Sequence, residues 1–239
     1  MIVSKNSPTR RMPKNLEPRS VLFLDGIRYS TELVDLAFRR LERNLEIIAN
    51  HKADEGDLGF LIVEAISDAW AFVDSYHRLR GLIQQLPGLK QKQPKLQIFL
   101  RQSVQIDDLR NYIQHLRTMI DEFVETKMPL WGSVSWTRRD PETGIQENHI
   151  IIPGTYFNDC RVTGCVFDSH IGEFIEKLVL EVGLKRVDLA ELHNGVERFW
   201  KWFEEHLKPT FENDECNSAD AHIKLEVRPV EGQAPKGAP

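Results

Sequence analysis

The sequence predicts an α+β protein: an N-terminal bundle of four helices, followed by a small antiparallel sheet with a covering C-terminal helix. Three observations carry this expectation. Between residues 30 and 127 apolar residues return at three- and four-residue steps. From Pro129 the pattern changes to short β-type runs broken by turn residues. From Asp188 the helical spacing resumes.

Residues 1–20 carry Lys5, Arg10, Arg11, Lys14 and Arg19 against Glu17 alone, and read as a disordered basic arm. The bundle is expected over 21–128. It opens with VLFL at 21–24, a short apolar run closed by the turn pair Asp25-Gly26 and therefore a strand candidate. Ser30 is the expected N-cap of the first helix, whose apolar face holds Val34, Ala37, Phe38, Leu41, Leu45 and Ile48. The second helix follows the polar link HKADEGD, buries Ile62, Ile66, Ala69, Trp70, Val73 and Tyr76, and stops at Pro87-Gly88. Pro94 suits the first turn of a short third helix, PKLQIFLRQ. Ser103 then begins a fourth, with Ile106, Leu109, Ile113, Leu116, Ile120 and Phe123 on one face and Asp107 and Asp108 at its dipole-positive end.

A β-rich region is expected over 129–209. Asp140-Pro141-Glu142-Thr143-Gly144 separates two β-type runs and predicts a hairpin. GTYF, RVTGCVF and FIEKLVLEVG follow as short strands. The covering helix then places Leu189, Leu192, Val196, Phe199, Trp200 and Phe203 at helical steps, and Lys208-Pro209 closes it. Residues 210–239, ending EGQAPKGAP, read as a disordered tail.

With 239 residues, 41% of them hydrophobic and 28% charged, the chain can bury a sizeable core. A net charge of -5 excludes a surface of uniformly positive potential. Cys160, Cys165 and Cys216 form neither a disulfide framework nor a zinc-ligand pattern, which fits a reducing, cytoplasmic setting. The N-terminus has no apolar core of a secretory signal, and no run of 18 apolar residues occurs, so neither export nor a membrane span is expected. Phosphate-cradling glycine motifs and the GxSxG elbow are missing. Asp168, His170 and Glu173 match no established ligand spacing, and no metal or other cofactor is expected. Trp131 and Trp136 beside Arg138 and Arg139 combine stacking with charge, as single-strand nucleic-acid binders do. Five residues apart in extended chain, however, the two indoles point to opposite faces, so at least one is expected in the core.

The stretch RNYIQH, residues 110–115, is the nearest thing to a chemical motif. Asn111 and His115 are four residues apart and share a helix face. Arg110 and His115 lie about 140° apart around the axis, a gap that the long arginine stem can close. An imidazole can move protons near neutral pH, and a guanidinium can hold a phosphate bidentately. His77 of the second helix is placed to approach His115 across the bundle. As an ordinary helix surface, the same stretch would pair Arg110 with Asp107, leave Asn111 in water and set His115 at the rim of the core. A second Arg/His spacing, Arg186 to His193, lacks the asparagine and straddles a helix start.

Over roughly residues 30–127, four helices with Arg110-Asn111 and His115 on the last one resemble the HEPN superfamily. The resemblance implies a metal-independent RNA endonuclease or an inactive relative, in a defence or toxin–antitoxin setting with a protein antitoxin as a possible partner. It implies a homodimer in which the motif-bearing helices meet and form a composite cleft, with the ribose 2′-hydroxyl as nucleophile. His115 would be the proton-transfer group, Arg110 the phosphate clamp and Asn111 the positioner. The alternative is a non-catalytic dimeric module whose β-rich half holds a protein or a small ligand.

Overall fold

Pro18 opens helix α1 (Pro18–Ala49), where its missing N–H costs nothing. The helix is continuous over 32 residues. This corrects two expectations: VLFL is helical rather than a strand, and Ser30 is buried inside α1 rather than capping it. The reason lies in Gly26. A Cβ there would come 3.0 Å from Leu82 Cδ1, so the bare backbone serves a close approach of α1 to α2 (Leu58–Gln85), not a turn. The carboxylate of Asp57 accepts the Gly59 N–H at 2.8 Å and caps α2. The computed structural model describes residues 1–51, 57–90, 92–140, 143–154, 162–211, 216–218 and 220–225.

After α3 (Pro94–Gln102), the expected fourth helix comes in three pieces: α4 (Val104–Gln114), a 3-10 turn over Leu116–Met119, and α5 (Ile120–Thr126). Thr118 donates both its N–H (2.9 Å) and its hydroxyl (2.8 Å) to the carbonyl of His115, which diverts the backbone from α geometry. Lys127, at φ 55°, ends α5.

The strands are β1 (Arg11–Pro13), β2 (Ser133–Arg139), β3 (Gln146–Ile151), β4 (Phe167–Asp168), β5 (Glu173–Phe174), β6 (Leu178–Val182), β7 (Lys185–Asp188) and β8 (Cys216–Ser218). Four of them form an antiparallel sheet in the order β3-β2-β6-β7. The predicted β2–β3 hairpin is present: Asp140 Oδ1 accepts the Thr143 N–H at 2.6 Å, and Gly144 takes φ 71°. Of the other expected strands, RVTGCVF contributes only Phe167 to β4, and Tyr156 and Phe157 of GTYF lie outside the described residues. Trp131 precedes β2, so the two tryptophans do not oppose each other on one strand. Trp136 is buried and stacks on His149 at 4.9 Å, whereas Trp131 is exposed.

Helix α6 (Leu189–Phe211) starts where the Asp188 carboxylate accepts the N–H groups of Ala190 (2.8 Å) and Glu191 (3.1 Å). Its predicted apolar residues are all buried, and one apolar cluster runs through the helices, the sheet and α6. Phe199 of α6 stacks on Phe99 at 4.5 Å, and His193 on Phe38 at 4.1 Å.

The N-terminal arm, expected to be disordered, packs on the helices. Val3, Thr9 and Met12 are buried, and β1 pairs with β8 with Met12 opposite Asn217. Its charge finds partners too: Arg10 pairs with Glu32, and Asp220 joins the buried Arg28 at 2.9 Å. The expected tail is structured at 216–218, and α6 runs through Lys208-Pro209, which was expected to close it, to Phe211; 212–215, 219 and 226–239 lie outside the described residues. Among the described residues, no helix is long and apolar enough to cross a membrane.

Candidate functional site

Helix α4 turns its apolar side, Ile106, Leu109 and Tyr112, into the protein. The ring of Tyr112 lies parallel to Trp70 at 6.4 Å and edge-on to Phe123 at 5.5 Å, while its hydroxyl donates to the Leu130 carbonyl at 3.2 Å. Burial pushes this phenol above its ordinary value, and the nearby Glu122 adds to the shift. The ring is thus fixed at both ends, and α4 rests on a rigid floor.

Above that floor a set of ion pairs ties α4 to α2. His77 Nδ1 lies 2.9 Å from Asp107 Oδ1, and Arg80 Nε lies 3.3 Å from Asp107 Oδ2. One turn further along α4, Arg110 Nε lies 3.6 Å from Asp74 Oδ1, and the other oxygen of Asp74 accepts from Arg78 at 2.6 Å. Asp108 joins Lys185 of β7 at 3.5 Å.

Arg110 is half-buried, and its Nε has no hydrogen-bond partner. Asn111 is exposed. His115 is the C-cap of α4, with its N–H shared between the carbonyls of Asn111 (3.1 Å) and Tyr112 (3.0 Å) and its imidazole exposed. The three motif residues therefore occupy the last turn and cap of one short helix. They do not sit in the interior of a long one. The expected partners also differ: Arg110 reaches Asp74 rather than Asp107, and His77 reaches Asp107 rather than His115. Because Asp74 stands between two guanidiniums, one positive charge is left over at this end of α4.

The sequence offers Asp107 as a partner for Arg110 but does not single out Asp74, nor Asp107 as the partner of His77 and Arg80. The available signal was an acidic residue on each helix at a position flanking the apolar stripe. The second Arg/His spacing is pulled apart by the fold. Arg186 binds Glu176 and Glu181, whereas His193 meets Asp35 at 3.1 Å. Beside Arg186, burial pushes the Cys165 thiol up to about 11. Asp168 accepts the backbone N–H of His170 at 2.8 Å within the β4–β5 turn. Among the described residues, no group of three or more His, Cys, Asp or Glu side chains could hold a metal ion. Two grooves among the described residues, about 690 Å³ beside β6 and β7 and about 390 Å³ between α3 and α6, are lined by residues outside the motif. No protein family, no curated protein and no solved structure matches this chain.

Proposed function

We propose that the chain is an HEPN-like protein that cuts RNA without a metal ion, as a homodimer in which the motif-bearing ends of two α4 helices face each other. The observation that carries the reading is the common placement of Arg110, Asn111 and His115 at one end of α4, with Asn111 and His115 exposed. Exposed Val104, Ile120 and Val124 on α4 and α5 give a second copy apolar surface to cover. In this reading Arg110 holds the phosphodiester, Asn111 orients it and His115 moves the proton. The ribose 2′-oxygen attacks phosphorus and the 5′-oxygen leaves with a proton, giving a 2′,3′-cyclic phosphate and a 5′-hydroxyl. An antitoxin-like protein partner in a defence setting fits the same reading.

The test is RNA cleavage in EDTA. Wild-type protein is expected to cut, His115→Ala and Arg110→Ala to lose activity while folding and associating normally, and RNA with a 2′-deoxyribose at the cut site to survive. Equal activity of His115→Ala would remove the imidazole from the mechanism. The Arg110–Asp74 ion pair favours a second reading, because it gives Arg110 a structural task. There the chain is a non-catalytic dimeric module that uses α4 as an interface and its β-rich half to hold a protein or small ligand. Dimers that persist and never cut RNA would decide for it.

A further inference from the structure

Helix α1 carries two apolar faces, and the fold uses one of them. Ile27, Val34, Phe38, Leu41 and Leu45 face the core. On the other side Leu22, Tyr29, Leu33, Leu36 and Ile47 are between 44% and 71% exposed. At 100° per residue these five fall within an arc of about 60°, and they span about 37 Å of helix. Scattered exposed apolar residues need no explanation, but five aligned along one line of a 32-residue helix make a seam. Arg40, the charged residue at the centre of this line, reaches away to Asp68 of α2 at 3.2 Å and leaves its aliphatic stem on the seam.

We infer that this seam binds a second copy of the chain, antiparallel, about a twofold axis near residues 34 and 35. The spacing of the seam is self-complementary about that point. Leu22 falls opposite Ile47 of the partner subunit, and Leu33 opposite Leu36 of the partner subunit. Charge follows the same symmetry. On one flank Asp25, which also lies 3.5 Å from Arg28 of its own helix, stands near the N-terminal end and the exposed Arg43 near the C-terminal end, so an antiparallel copy brings each beside its opposite. An isologous contact of this kind closes on itself and does not propagate.

The contact does not involve α4 and stands apart from the RNA-cutting reading. The competing cover is residues 221–239, since Asp220 is held by Tyr29 of the seam and the exposed Ile223 and Leu225 follow it.

Light scattering on the full-length chain decides between them. Wild-type protein is expected to be a multimer at micromolar concentration, and Leu33→Glu with Leu36→Glu to halve the mass, raising Kd at least about a hundredfold while the helical circular-dichroism signal is kept. Arg43→Glu alone is expected to weaken association, and Arg43→Glu with Asp25→Arg to restore it. A monomeric wild type overturns the inference, as does a mass that the double glutamate variant leaves unaltered, the result expected if the C-terminal segment covers the seam. Failure of the charge swap to rescue overturns the antiparallel arrangement. None of these measurements uses RNA, so they fail or succeed independently of the nuclease assay.

Discussion

Nε2 of His193 lies 3.1 Å from Oδ1 of Asp35, and this contact joins α6 to α1 across 158 residues of sequence. Asp35 is buried and also takes hydrogen bonds from Arg39 Nε at 3.1 Å and from the Ile2 N–H at 3.2 Å. Its carboxylate thus gathers the N-terminal segment, α1 and α6. Asp35→Asn keeps the shape but removes the charge that three donors share. The expected loss is about 2–3 kcal/mol in urea unfolding, in the range of hydrogen bonds to charged groups. A change below about 0.5 kcal/mol would show that the three elements hold together without it.

Glu176 gives stability an acid dependence. Burial opposes its ionisation, but hydrogen bonds from Arg186 and from the Val166 N–H at 2.7 Å outweigh that and hold the carboxyl below its ordinary value of 4.5. A carboxyl with a lowered folded value stabilises the protein fully above the ordinary value. That stability is lost as the pH falls through the lower one. Urea midpoints measured from about pH 7 to pH 3 are expected to fall in the wild type and to fall less in Glu176→Gln. Identical acid limbs would remove this pair from the account.

Two glycines predict opposite signs for one substitution. Gly132 has φ 77°, and a Cβ there would lie 2.5 Å from the Glu181 carbonyl oxygen, backbone that cannot swing aside. Gly132→Ala is expected to cost more than about 2 kcal/mol. Gly195 lies within α6, and its Cβ would meet nothing closer than Gln102 Oε1 at 3.6 Å, an ordinary contact. Gly195→Ala is expected to stabilise by about 0.5–1 kcal/mol through helix propensity. Thermal melts of both variants check the pair, and a stabilised Gly132→Ala would refute the clash.

Most helices and the central hairpin were legible because their signals are local. The steps of apolar residues, Pro94 at a helix start and Asp140 at a turn act within a few residues of themselves. What escaped depends on distant neighbours. Asp25-Gly26 looks like a turn until Leu82 is placed against it, and the arm at 1–13 looks unfolded until β8 and Asp35 supply partners. The break at His115 had no glycine or proline to announce it, only a threonine three residues on. The motif itself was visible as spacing. Its electrostatic setting was misread, because local spacing offers Asp107 to Arg110, whereas the packing of α2 on α4 gives Asp107 to His77 and Arg80 and brings Asp74 to Arg110.

The ladder between β1 and β8 joins segments about 200 residues apart, and closing so long a loop has a large entropic cost before any contact rewards it. Three residue pairs cannot offset that cost unless α1 and α6 are already in place. This ladder therefore forms late in folding. Among the strand ladders it is the one whose amide hydrogens should exchange first with solvent.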